Sequence, residues 1–282
     1  LKLRRAQVAG SFYSGTKTSL TSEIERCFAH HLGPGRLPTL AKVGERKLTG
    51  LVCPHAGYMY SGPVAAKSYF ELASDGKPET IVIIGPNHTG EGSGVSMMPE
   101  GIWETPLGHV EIDRQTADAI SKASDIIDLD DRAHIYEHSI EVQLPFLQYV
   151  LKTGFNFVPI CMMMQDQKTS AEVGKAVGEA LRGRDGLAIA SSDMTHYESA
   201  YSAKRKDRLA IDAILAMDDT RLQETVESHR ITMCGHGPVA STIVASKILG
   251  AKAARLLGYS TSGDITGDDS AVVGYLAASI RK

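Results

Sequence analysis

Apolar positions along the chain switch repeatedly between helical spacing and short unbroken runs. Leu20, Ile24, Cys27, Phe28 and Leu32 share one face and predict an amphipathic helix over 18–32, stopped by Gly33-Pro34-Gly35. A short apolar run from Leu48 to Cys53 ends at Pro54, and a helical stretch follows over 63–72. Thr80-Ile81-Val82-Ile83-Ile84 is β-branched and bounded by Gly85-Pro86, the pattern of a strand covered on both faces. Residues 95–112 read as short strands in a hairpin around Pro106-Leu107-Gly108. Ile140, Leu144, Leu147 and Leu151 form a helical stripe over 139–152, in which Pro145 requires a kink or a start nearer 143. Strands are expected at 155–163 and 186–191. Capping boxes, Thr169 with Glu172 and Thr220 with Gln223, predict helix starts there. Further helices are expected at 203–217 and 238–249, and strands at 253–260 and 271–279. Strands that alternate with helices throughout predict an α/β fold around one mixed, largely parallel sheet. With no repeat, low-complexity linker or compositional break, one domain over 1–282 is the expectation.

Composition narrows the function classes. Hydrophobic residues are 43% of the 282, enough for a large core and too many for a disordered chain. Thirty basic residues against 33 acidic ones give a net charge of −3, and no basic patch suggests a nucleic-acid partner. No apolar stretch approaches the ~18 residues of a membrane span. Leu1-Lys2-Leu3-Arg4-Arg5 lacks the apolar region of a signal peptide, and four cysteines without a CxxC pair fit reduced thiols, so a cytoplasmic protein is expected.

Candidate chemistry gathers after three of the predicted strands. Pro54-His55-Ala56-Gly57-Tyr58, Gly85-Pro86-Asn87-His88 and Ser191-Ser192-Asp193-Met194-Thr195-His196 each follow a short apolar run. If those strands are parallel neighbours, the loops leave one edge of the sheet, where open α/β sheets bind ligands. His55, His88, Asp193 and His196 are then expected to converge. Asp193 and His196 are close enough in sequence to share a hydrogen bond that fixes the imidazole tautomer. Cys234 precedes a tight turn, Gly235-His236-Gly237-Pro238, into a helix whose N-terminus would favour a thiolate. Cys27, Cys53 and Cys161 fall on core positions. His138, flanked by Glu137 and Glu141, is a further site candidate, or the acidic start of a helix. His236 either faces the site or shapes its turn. Gly90, Gly92 and Gly94 read as a mobile loop and form no nucleotide-binding fingerprint.

At these residues the chain resembles the Memo family. The match runs through Ala9-Gly10-Ser11-Phe12-Tyr13, Pro54 to Tyr58 with Gly62, Gly85 to His88, Glu137 to Glu141 with Leu144-Pro145, Ser191-Ser192-Asp193 with His196, Cys234-Gly235, and Asp269-Ser270. Prokaryotic members are also called AmmeMemoRadiSam system protein B, after a gene association with a radical-SAM protein, which is therefore an implied partner. The family is similar to the catalytic subunits of class III extradiol dioxygenases, non-haem iron enzymes. That resemblance implies a central mixed sheet with a metal crevice at one end. By motif, His55, His88 and Cys234 would hold a divalent metal, with Asp193 and His196 beside them and His196 as acid/base. The dioxygenases place a carboxylate where Memo proteins place the cysteine. Thiolate is a softer donor that favours copper or zinc without excluding iron. Two readings follow: a metal-dependent redox or hydrolytic catalyst with His196, Asp193 and His138 around the cation, or a module that holds a peptide or small molecule in the same crevice.

Overall fold

In a computed structural model, which describes residues 2–42, 45–152 and 154–282, the chain alternates strands and helices. Leu1 of the charged start lies outside the described residues, as do Val43, Gly44 and Thr153. The first half runs β1 (Leu3–Arg4), α1 (Lys17–Ala29), β2 (Leu48–Cys53), α2 (Tyr58–Asp75), β3 (Thr80–Pro86), β4 (Val95–Met97), β5 (Ile102–Thr105), β6 (Gly108–Glu111), α3 (Arg114–Ala123) and β7 (Asp128–Leu129). The second runs α4 (Leu144–Leu151), β8 (Phe157–Met162), α5 (Gln167–Leu181), β9 (Gly186–Ser191), β10 (His196–Glu198), α6 (Ala200–Leu215), α7 (Asp219–Ser228), α8 (His236–Ile248), β11 (Ala253–Thr261), α9 (Gly263–Thr266) and β12 (Val272–Arg281). Among the described residues, no helix is long and apolar enough to cross a membrane.

The main sheet has the order β10-β12-β2-β9-β3-β8-β4-β7, with β11 on β12. Its centre, β2-β9-β3-β8, is parallel, whereas β12 and β4 flank that centre in the antiparallel sense. The sheet is thus mixed as expected, but the parallel part is confined to the middle. Alternation along the strands divides the core. Leu51, Cys53, Ile81, Ile83, Leu187 and Ile189 face α1, α2 and α4. Val82, Ile84, Val158, Ile160 and Ala188 face the opposite layer of α3 and α5. Cys27, Cys53 and Cys161 are buried in this packing, as their positions predict.

Several boundaries differ from the sequence reading, each for a local reason. The helix expected from Pro63 begins at Tyr58, because Tyr58, Ser61, Val64 and Ala65 are all buried and packing outweighs the one hydrogen bond that Pro63 forgoes. The start nearer 143 is the correct alternative for 139–152: a short 3₁₀ turn, Glu141–Gln143, precedes α4 with Pro145 in its first turn. Neither capping box is used. Asp166 caps α5 through Thr169 N at 3.0 Å, and Asp218 caps α7 through Arg221 N at 2.9 Å. In both places an aspartate upstream of the threonine starts the helix earlier, so Thr169 and Thr220 fall inside the first turn and no longer stand at its cap. The sequence reading missed α3, whose buried face holds only Thr116, Ala117 and Ile120. The hairpin around Pro106-Leu107 forms between β5 and β6, but in a separate small sheet with β1.

Helices α5 and α8 lie side by side on the sheet. A Cβ at Gly174 would sit 2.6 Å from the Ser241 carbonyl oxygen and from Val244 Cβ, so the close approach requires glycine. We expect Gly174→Val to lower the unfolding free energy by about 1–3 kcal/mol through overpacking. Lys175→Ala beside it, at an exposed position, should stay within about 0.5 kcal/mol in the same urea titration.

Candidate metal centre

The carboxyl ends of β2, β3 and β9 deliver the three predicted loops to one edge of the sheet, around a crevice of about 640 Å³. His55, His88, His138, Asp193 and His196 all line it, together with Phe12, Tyr60, Tyr197 and Tyr275. The rings of His55 and His88 have centroids 5.3 Å apart, and those of His88 and His138 stack at 4.7 Å. One donor atom from each of His55, His88 and His138 lies within 4.8 Å of the other two.

The rings of His55 and His88 are each aimed by a second residue. Ser191 Oγ donates to the Ser139 carbonyl at 2.7 Å, so it accepts from His55 Nδ1–H at 2.8 Å and from Gln143 Nε2 at 2.8 Å. That network assigns the proton to Nδ1 and leaves the Nε2 lone pair of His55 free. Glu137, fully buried, accepts from the His88 ring at Nδ1 (2.9 Å) and from the backbone N–H groups of His88 (2.5 Å), His138 (2.8 Å) and Ser139 (2.8 Å). Burial alone would raise the Glu137 carboxyl, but the His88 ring bond, the charge of that ring and the His88 N–H together hold it down at about 2. A carboxylate on the outer nitrogen of an imidazole is the support that metal-binding histidines commonly have. Burial holds His55 well below the usual imidazole range, with His138, His88 and His196 adding to the shift, and burial lowers His138 as well.

Cys234 stands beside the three-histidine group, at the Nε2 side of His55. Its Sγ is 3.2 Å from His55 Nε2 and accepts from Asp193 N at 3.2 Å. The expected thiolate is not what the protein's own charges favour. Burial and the Asp193 carboxylate push the thiol up, and these outweigh the α8 N-terminus. The S–H therefore donates to the free lone pair of His55. Asp193 is also buried; burial raises its carboxyl, although Oδ1 accepts from His55 N at 2.8 Å. The predicted bond between Asp193 and His196 does not form. His196 instead gives Nδ1–H to the Thr232 carbonyl at 2.8 Å, because Asp193 is already turned inward onto the His55 backbone. His236 lines a different cavity, where Nδ1 meets Gln223 Oε1 at 2.7 Å. The glycine loop after His88 is cross-linked by Asn87 Oδ1, which accepts from Gly90 N, and by Asp130, which accepts from Ser93 N.

A family model described as Memo-like protein matches residues 4–279. The chain belongs to the Memo family. Three MEMO1 family proteins are similar to it over nearly their whole length. That of Methanothermobacter thermautotrophicus is 56% identical over 275 residues, covering 97% of this chain and 98% of the relative. That of Methanopyrus kandleri is 51% identical over 281 residues, covering 99% of each. That of Methanocaldococcus jannaschii is 49% identical over 288 aligned residues, again covering 99% of each.

The structure explains Memo motif segments that sequence reasoning left without a role. Glu141, read as an acidic helix start, is a buried anchor. It accepts from Gln7 N (2.9 Å), Val8 N (3.0 Å) and Tyr13 OH (2.6 Å), and pairs with the buried Arg4 guanidinium. Arg4 also donates to the carbonyls of His134 (2.8 Å) and Glu137 (2.6 Å) and lies over the Trp103 ring. The Ala9–Tyr13 segment is thereby fixed so that Phe12 packs on His138, with centroids 4.6 Å apart. Gly85 and Gly235 permit two close approaches: a Cβ would lie 2.6 Å from Ser139 Oγ and 2.5 Å from the Ser191 carbonyl, respectively. Glu137, Ser191 and Gln143 were missed as positioning groups. For Glu137 the adjacency to His138 was a usable signal; for Gln143 there was none. We expect Arg4→Ala to cost about 3–5 kcal/mol of unfolding free energy, because it leaves Glu141 buried without its counter-charge. Denaturant titration of the two proteins measures this.

Proposed function

We propose that this Memo protein is a metal-dependent catalyst acting on a small molecule in the crevice. The observation that carries the reading is the cluster of His55, His88 and His138 on the crevice floor, with one donor atom of each within 4.8 Å of the others. The donor chemistry fits a first-row divalent cation: neutral imidazoles suit iron, copper and zinc. His55 presents an unprotonated Nε2 whose one partner is the Cys234 thiol, and His88 has a buried carboxylate on its outer nitrogen. His138 is the third donor in this arrangement, whereas the resemblance names Cys234, whose Sγ meets His55 Nε2 at 3.2 Å. When bound, such a cation polarises an oxygen of the ligand and, if iron or copper, can exchange electrons. His196 holds its Nδ1 proton on Thr232 and thus has Nε2 with which to take or give a proton at the crevice wall. Asp193 contributes a protonatable carboxyl beside His55, at 4.0 Å from its Nε2.

An extradiol-type dioxygenase would need a carboxylate among its ligands, and the buried carboxylates near these rings already have partners: Glu137 takes the His88 ring and backbone N–H groups, Glu141 pairs with Arg4, and Asp193 Oδ1 accepts from His55 N. Ring cleavage of a simple catechol by the Fe(II)-loaded protein should therefore be slow or absent in an oxygen-consumption assay, and brisk turnover would put the dioxygenase reading first. A recognition module for a peptide or metabolite would use the same crevice without moving a proton. His196→Ala separates the two readings: it should leave metal bound but suppress turnover by about 10²–10⁴-fold in a substrate screen, whereas a binding module shows only altered affinity.

Metal titration tests the donor set. His88→Ala and His138→Ala should each weaken Zn(II) binding by more than the about 10–100-fold expected for Glu137→Gln. Cys234→Ser should cost less than either. A Cys234→Ser protein that loses its metal while His138→Ala keeps it would put the thiolate in His138's place.

A further inference from the structure

Among the described residues, four non-glycine residues have positive φ. Lys152, Met217 and Arg230 stand at or just past the ends of α4, α6 and α7, where such conformations are routine. Tyr197, at φ +60°, is different: it lies inside β10, and its side chain is 79% exposed, so burial does not offset the strain. The ladder shows the cause. His196 pairs with Val273 and Glu198 with Val272, which leaves Tyr197 as the extra residue of a bulge. In a regular strand consecutive side chains face opposite sides. Here His196 and Tyr197 both line the crevice. The bulge therefore delivers a proton-transfer candidate and a large ring to the same space.

We infer that Tyr197, with Phe12 and Tyr60, selects a flat aromatic ligand bearing one anionic oxygen group. The inference rests on the metal-centre reading for the anionic end and on the crevice walls for the ring. The walls carry four aromatic side chains, Phe12, Tyr60, Tyr197 and Tyr275, above the imidazole floor. A planar ligand can stack on such rings, whereas a saturated one of equal size fits less well. The carboxylate of Asp268 also lines the crevice, which disfavours a second anionic group on the ligand. Tyr197 is the wall residue held at a conformational cost, which makes it the specificity-determining member.

The test compares benzoate with cyclohexanecarboxylate, which share a carboxylate and differ in planarity, by calorimetry on Zn(II)-loaded and metal-free protein. Wild type should prefer benzoate by about threefold to tenfold, the range expected of one aromatic pair. Tyr197→Phe should keep that preference. Tyr197→Asn should abolish it and yet unfold at higher denaturant concentration, since asparagine tolerates positive φ. A residue serving only the fold would instead lose stability on that change. The inference is overturned if wild type shows no ring preference in either form, if Tyr197→Asn retains it, or if Tyr197→Asn is destabilised. Should wild type bind no Zn(II), the metal reading fails separately. The Tyr197-dependent preference of the metal-free protein then decides this inference.

Discussion

Glu137 is an anion sealed from water, and the candidate site is arranged around satisfying it. Its two oxygens take one ring N–H and three backbone N–H groups, from His88, His138 and Ser139. A buried carboxylate missing such partners would cost several kcal/mol or take up a proton. The loop after β3 and the segment before α4 are thus fixed relative to one another by one group. Four residues on, Glu141 does the same for the N-terminal segment through Arg4, Gln7, Val8 and Tyr13. Two carboxylates one helical turn apart in sequence hold together three stretches of chain that share no secondary-structure element.

That arrangement sets the electrostatics of the crevice. Burial holds the His55 and His138 imidazoles below their usual range, which favours their uncharged forms. Cys234 and Asp193 are both pushed toward their protonated forms by burial, on the protein's own charges. If a cation were held there, His55, His88 and His138 would offer it imidazole donors, with the Cys234 thiol and the Asp193 carboxyl beside them. The aromatic walls and the exposed Tyr197 then define what else fits. Backbone strain falls on Tyr197, which lines the crevice beside His196.

Much of this was legible in the chain. The β-branched and apolar runs of β2, β3, β8 and β9 announced strands buried on both faces, and their polar, histidine-bearing sequels announced a shared edge. His55, His88, Asp193 and His196 were placed correctly at one crevice by topology alone. Boundaries were less legible where two signals competed, as with Asp166 against the Thr169 box, or where packing held a proline inside α2. A weakly apolar helix such as α3 left too few buried positions to read.

What the sequence determined by itself was which residues could meet, because strand periodicity and the edge rule depend on local pattern. What only the tertiary structure decided was how they meet: that His138 stands in one group with His55 and His88 while Cys234 Sγ meets His55 Nε2, that His196 leans on Thr232 rather than Asp193, and that Glu137 and Glu141 are buried anchors. Those outcomes turn on distances of one or two ångströms between segments far apart in the chain. Local pattern carries no information about such distances, because they are set by the packing of α1, α2 and α4 against one face of the sheet and by the buried carboxylates between them.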